Sequence, residues 1–170
     1  MNNIETKTAI YEFNPKGTEV QIKVKDESCI PIRAHDTDAG YDLKAFENYM
    51  ISPGQTVIVD TGCAIALPTE REWLWEAQVR PRSGISAKTN MRVSNSPGTI
   101  DANYRNYIGV IMQNIGTTPY RITKGDRIAQ LIITKMPKTE LVVVNELDET
   151  DRGMNGFGST GLLQATNDSN

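Results

Sequence analysis

Val57-Ile58-Val59-Asp60-Thr61-Gly62-Cys63-Ala64-Ile65-Ala66-Leu67-Pro68 holds two short apolar runs on either side of a polar turn, and the second run stops at proline. Neither run is long enough for a globular helix, and the first is entirely β-branched. The same pattern recurs along the chain. Val20, Ile22 and Val24 alternate with Gln21 and Lys23; Trp73, Leu74 and Trp75 begin a run that reaches Val79; further apolar runs lie at 108–112, 128–133 and 141–144. Short strands punctuated by Gly, Pro, Asn and Asp predict an all-β fold, a barrel or a double-sheet jelly roll. Only 83–89 reads as a helix, and a short one. There is no internal repeat and no interdomain linker, so the 170 residues predict one β domain over 19–151. It carries an N-terminal extension (1–18), a glycine-rich segment (152–161) and a polar, disordered tail (162–170).

A net charge of −3 offers no basic surface for a nucleic-acid backbone, although clustered cations would still suit a polyphosphate. The two cysteines, Cys29 and Cys63, stand beside apolar residues without the spacing of a zinc site or disulfide framework. They read as buried free thiols. No apolar run reaches the length of a membrane span, and the first ten residues lack the pattern of a signal peptide. The expectation is a soluble intracellular protein, cytoplasmic, or in the host cytoplasm if the chain is viral.

Five segments are dense in polar groups. Asp36-Thr37-Asp38-Ala39-Gly40-Tyr41-Asp42 places three carboxylates in seven residues, which suits either an acidic turn or a hard cation. Arg80-Pro81-Arg82-Ser83-Gly84 opens the predicted helix, with Ser83 as its cap; the arginine and the helix start suit an anion or a plain surface cap equally. In 95–106, Pro97-Gly98 and the asparagines predict a hairpin. Asp101 lies between Ile100 and Ala102 on a strand, where a carboxylate can orient and deprotonate a water, and Tyr104 offers a flat face to a sugar. Gln130 is polar inside the apolar run that follows Gly125-Asp126, and reads as a satisfied structural group or a ligand group. In 152–161, Arg152, Phe157, Ser159, Thr160 and four glycines suit a frayed tail or a flap closing on a nucleotide: a guanidinium for phosphate, a ring for a base.

Taken in order, Ala39-Gly40-Tyr41-Asp42-Leu43, Pro81-Arg82-Ser83-Gly84, the run from Gly98 to Arg105, Gly125-Asp126-Arg127-Ile128-Ala129-Gln130-Leu131 and 152–161 resemble the five ordered motifs of the trimeric dUTPases. The resemblance spans 34–161. It implies a jelly-roll-like distorted β-barrel in a homotrimer with C-terminal arm exchange, hydrolysing dUTP to dUMP and pyrophosphate with Mg²⁺. It implies three sites, each built from all three subunits. Asp101 would be the general base, and Arg82, Ser83, Gly84 and Gln130 would hold phosphates and position water. Asn95 and the backbone around Thr99 and Ile100 would read the uracil edge, Gly109 would also bind substrate, and Tyr104 would pack on the deoxyribose. Asp42 would support magnesium through water, the metal lying mainly on the triphosphate. Arg152 would meet the γ-phosphate and Phe157 would stack on uracil, while Gly158, Ser159 and Thr160 would complete the flap.

The chain departs from the family pattern at Asn106, where glycine is usual and a positive φ is expected. The tryptophan-rich stretch 70–76 is heavier than usual and reads as core or trimer packing or, as the alternative, an exposed partner-binding face, and residues 1–18 have no assigned role. A dCTP deaminase of related fold is the alternative enzyme, but it would need a glutamate and different chemistry beside the base. A second role with a regulatory protein partner stays open.

Overall fold

The computed structural model describes residues 17–154. Most of the predicted N-terminal extension, the flap residues Phe157, Gly158, Ser159 and Thr160, and the whole of the predicted disordered tail lie outside them. Eleven strands and one helix make up the described chain, with a single 3-10 turn at Glu27–Cys29. The strands are β1 (Gln21–Val24), β2 (Tyr41–Lys44), β3 (Tyr49–Ile51), β4 (Thr56–Asp60), β5 (Cys63–Ala66) and β6 (Trp73–Arg80). After the helix α1 (Ser83–Lys88) come β7 (Met91–Val93), β8 (Gly98–Asp101), β9 (Gly109–Asn114), β10 (Tyr120–Ile122) and β11 (Arg127–Pro137).

The all-β expectation with one short helix holds. Hydrogen bonding spreads the strands over four antiparallel sheets without closing a cylinder: β1–β5, β3–β10, β2–β11–β6–β8 and β4–β9–β7. Their inner faces share one core, with Leu43, Ile51, Val59, Ile108, Met112 and Ile128 at 1% exposure or less. Each such side chain contributes about 1.5–3 kcal/mol by leaving water. β9 shows the cause at the level of sequence: Val110, Met112 and Asn114 point inward at alternate positions. Buried Asn114 is fully engaged, its amide donating to the carbonyls of Ile51 (2.9 Å) and Thr118 (2.8 Å) and its oxygen accepting from Gly116 N–H.

The turn Asp60-Thr61-Gly62 forms as its residues predict. Gly62 takes φ +64°, its N–H donates to Asp60 Oδ1 at 2.7 Å, and a Cβ there would lie 2.6 Å from Cys29 Sγ. The strands beside it are not ladder partners, however. β4 pairs with β9 and β5 with β1, so the chain changes sheets at this turn.

Four local expectations are corrected. The predicted hairpin over 95–106 does not form a ladder, because β8 pairs with β6 while β9 pairs with β4 and β7. Ser83 is the first helical residue rather than the cap; Arg82 occupies the cap position without a side-chain hydrogen bond. Asn106 keeps a negative φ and instead accepts from Tyr107 N–H at 2.8 Å. Finally, Leu141-Val142-Val143-Val144 is not a strand, and Leu141 and Val143 are 97% and 99% exposed. Strand-forming residues need a partner for their backbone groups, and among the described residues these have none.

The described chain divides after Lys138 into two compact units. The second, in its described part, is irregular: a turn near its end has Gly153 at φ +52° donating to the Thr150 carbonyl at 2.9 Å, beside exposed Arg152.

Candidate functional site

The outer face of the sheet β2–β11–β6–β8 carries a row of polar residues. Asp42 stands opposite Gln130, and Gln130 stands opposite Arg80. At the end of β6 the chain passes through Pro81 into Arg82-Ser83-Gly84 and so brings the second polar segment alongside the first and fourth. A cavity of about 280 Å³ results, lined by Asp38, Gly40, Asp42, Arg82, Ser83, Gly84 and Gln130.

Its walls hold one another. Asp42 Oδ1 lies 2.6 Å from Arg82 Nε and Oδ2 lies 3.2 Å from Arg127 Nη1, so both carboxylate oxygens meet guanidinium groups. Gln130 Nε2 donates to the Pro81 carbonyl at 2.9 Å, tying β11 to the residue before Arg82. Gln130 is thus a satisfied structural group that also lines the cavity. Gly40 lets it pack, since a Cβ there would collide with Gln130 Oε1. Asp38 Oδ2 accepts from His35 N–H at 3.0 Å, closing the acidic turn. The Arg82 guanidinium, the Ser83 hydroxyl and backbone N–H groups face a hollow that also carries Asp38 and the arginine-paired Asp42, donors suited to an anion.

The third segment lies on the far side of the same sheet. The Ser96–Pro97 bond is cis, and Gly98 lies beneath Asn95, whose Nδ2 would be 2.8 Å from a Cβ at that position. Asn95 therefore packs on Gly98, the residue that leads into Thr99 and Ile100. Asp101 ends β8, exposed and directly opposite Glu76. Tyr104 N–H donates to the Asp101 carbonyl at 3.0 Å, and the residue is 39% exposed. Gly109 opens β9 under Ile58, where a Cβ would collide with the isoleucine side chain.

The structure brings Asp42, Arg82, Ser83, Gly84 and Gln130 together, and separately Asn95, Thr99, Ile100, Asp101 and Tyr104. It does not bring the two groups to each other. From Asp42 to Asp101 there are three strand spacings across the sheet and four residues along β6, about 14 Å by about 13 Å, or about 19 Å between Cα atoms.

Two features were not singled out from sequence. Arg127 was quoted within a motif and given no role. Beside Asp101, Glu76, Gln78 and Arg80 form a side-chain chain along β6: Gln78 donates to Glu76 at 2.5 Å and accepts from Arg80 Nε at 2.8 Å. The i, i+2, i+4 spacing of those three residues was the available signal.

Elsewhere, Trp73 and Trp75 flank Lys135, whose Nζ lies 4.9 and 5.4 Å from their ring centres and 2.8 Å from Glu70. Cys29 and Cys63 are buried and free, and burial pushes the Cys63 thiol up to about 11. Among the described residues no three His, Cys, Asp or Glu side chains converge as metal ligands. With both Asp42 oxygens occupied by arginines, the cavity fits a cation that arrives on an oxygen-rich ligand and meets the wall through water; it does not fit a protein-only cage. No helix among the described residues is long and apolar enough to cross a membrane.

The sequence matches the dUTPase family model over residues 26–161. The deoxyuridine 5'-triphosphate nucleotidohydrolase of Clostridium tetani is 44% identical over 147 residues, covering 85% of this chain and 99% of the relative. That of Corynebacterium diphtheriae is 45% identical over 141 residues, covering 82% and 90%. Among solved structures, the Staphylococcus bacteriophage 80alpha dUTPase with dUPNHPP aligns with a TM-score of 0.78 at 29% identity, over 86% of this chain and all of the other (100%). A mutant dUTPase of S. aureus phage phi11, described with a structural Mg(II) ion, aligns with a TM-score of 0.70 at 26% identity, over 78% and 100%.

Proposed function

We propose how this chain, which belongs to the dUTPase family and is a dUTP diphosphatase, carries out its reaction. Water attacks the α-phosphorus of dUTP. A new P–O bond forms, the bond to the bridging α–β oxygen breaks, and dUMP and pyrophosphate leave. Asp101 takes the proton from the attacking water, a general-base contribution of about 10²–10⁴ in rate. Arg82, Ser83, Gly84 and Gln130 grip the phosphates in the cavity. Asn95 and the backbone at Thr99 and Ile100 enclose the uracil, with Gly109 also on the substrate, leaving no room for a C5 methyl. Tyr104 lies on the deoxyribose and rejects a 2′-hydroxyl. Arg152 meets the γ-phosphate and Phe157 stacks on the base, while Gly158, Ser159 and Thr160 close the flap. Asp42 would support a magnesium ion through water, and the ion, when bound, would neutralise charge on the triphosphate.

The observation that carries this reading is the cavity itself, which gathers an anion grip from three distant segments yet leaves its own Asp101 about 19 Å away by strand geometry. A base must come within about 3 Å of the water it activates. The site is therefore shared: one copy supplies the phosphate grip and another the base and uracil pocket, in a homotrimer whose C-terminal arms are exchanged. The reaction lowers the dUTP available for incorporation into DNA and provides dUMP for thymidylate synthesis. Buried free Cys29 and Cys63 suit the reducing cytoplasm in which this occurs.

Pyrophosphate release measured across the deoxynucleoside triphosphates tests the function. Release from dUTP well above that from dTTP, dCTP or UTP is expected. Ammonia release from dCTP would make the chain a deaminase instead.

A further inference from the structure

The loop between β8 and β9 carries Tyr104 and begins at Asp101. Within itself it is closely bonded. Tyr104 N–H donates to the Asp101 carbonyl at 3.0 Å, and Arg105 Nη1 donates to the carbonyls of Ala102 (2.6 Å) and Tyr104 (2.9 Å). Where glycine is usual in the family, Asn106 Oδ1 accepts from Tyr107 N–H at 2.8 Å. Asn103, Tyr104, Arg105 and Asn106 are all exposed, so these bonds shape the loop without fixing it to the body of the protein.

Tyr107 supplies the attachment. It is half-buried, and two lysines of β1 approach its ring: Lys25 Nζ lies 4.9 Å from the ring centre and Lys23 Nζ 6.0 Å. They reach it over β5, where Ala64 stands opposite Lys23 and the Gly62 carbonyl takes Lys25 N–H, two positions with little or no side chain. Lys25 is itself held, its ammonium 4.5 Å from the centre of the Phe46 ring and paired with Asp60. A cation placed between two rings and a carboxylate is a fixed post, not a free lysine. The Tyr107 carbonyl in turn lies 3.3 Å from the Tyr104 hydroxyl, so the ring anchored on Lys25 and the ring assigned to the deoxyribose belong to one short, linked segment. Excluding a 2′-hydroxyl needs a surface that does not yield, and a loop held only at its strand ends would let Tyr104 recede.

We propose that Tyr107, seated on Lys25, is a positioning residue for sugar selection: it ties the loop to β1 and so holds the Tyr104 ring against a 2′-hydroxyl. This rests on the dUTP site proposed above.

The test uses the full-length assembled protein with Tyr107→Leu, Tyr107→Phe and Lys25→Met. Pyrophosphate release gives kcat/KM for dUTP and for UTP, alongside melting temperature. In Tyr107→Leu, which keeps apolar bulk and loses the ring face, the preference for dUTP over UTP falls about five- to tenfold. Tyr107→Phe keeps the ring face and stays within about 1.5-fold of wild type. Lys25→Met leaves Tyr107 in place and lowers the same preference, which keeps the test intact should Tyr107→Leu fail to assemble. A merely structural residue would weaken turnover of both nucleotides alike and leave their ratio unmoved. An unmoved ratio in Lys25→Met, or Tyr107→Phe falling as far as Tyr107→Leu, overturns the proposal. Wild-type protein that prefers dUTP beside variants with an equal preference removes Tyr107 alone from the account. Wild-type protein that turns over dUTP and UTP alike removes the sugar role of Tyr104 and this proposal together.

Discussion

Two inactive versions of the chain should restore activity when assembled together. Asp101→Asn removes the base and leaves the phosphate grip; Arg82→Ala weakens the grip and leaves the base. Their separation on one chain follows from the register. Asp101 opposes Glu76, four residues before Arg80, and Arg80 shares a row with Gln130 and Asp42. That places Asp101 about 19 Å from Asp42, which lines the cavity together with Arg82, Ser83 and Gly84. An attacking water about 3–3.5 Å from phosphorus, with its base about 3 Å behind, cannot span that gap. Each productive site must then draw the base from one chain and the grip from another. In an equal, randomly mixed population half the chains carry Asp101 and half carry Arg82, so about one quarter of sites have both. The variants are unfolded together, refolded as a mixture and assayed for pyrophosphate release from dUTP. Activity of about one quarter of wild type is expected, against a background lower by about 10²–10⁴ for Asp101→Asn alone. Mixed assemblies, verified by tagging each variant, that stay at background would refute the shared site.

Asp101→Asn alone should bind the imido analogue of dUTP normally while single-turnover hydrolysis slows by about 10²–10⁴; unchanged hydrolysis removes Asp101 from its role as base. Gly40→Ala forces Gln130 away from the Pro81 carbonyl. Because the obstructing atom is the end of a flexible side chain, the expected stability loss is at the low end of overpacking, about 1 kcal/mol by denaturant titration, with a raised KM for dUTP; an unaltered KM would show that the latch does not position the grip. Asp26 is held at about 2, first by the Ser28 hydroxyl and then by Lys124, against an ordinary 3.8. A carboxyl made more acidic by folding contributes its full stability above 3.8 and loses it as pH falls toward about 2. Asp26→Asn should therefore flatten the fall of melting temperature across that window, and an undiminished slope would contradict the assignment.

Much of this molecule could be read from neighbouring residues. Valine and isoleucine at alternate positions, with glycine and proline between runs, announce strands because strand periodicity is a property of a few consecutive residues. Five polar segments in fixed order announced the chemistry, since each residue type's donors, charge and shape are its own. That reading overreached where a partner mattered. Leu141-Val142-Val143-Val144 has strand-forming residues and no ladder among the described residues, and Pro97-Gly98 turns the chain between sheets rather than back along one.

The sequence by itself determined an all-β chain with one helical turn at Ser83 and a set of nucleotide-handling groups. Only the tertiary structure decided which groups meet. Ladder partners such as Asp42 and Gln130 are separated by about half of the chain, and they pair because faces and backbone groups fit, which no local stretch encodes. Ile128-Ala129 shows the limit most plainly: two apolar residues in succession look like any buried run, and only their fit against Leu43 turns them into the bulge that leaves Arg127 on the outer face beside Asp42.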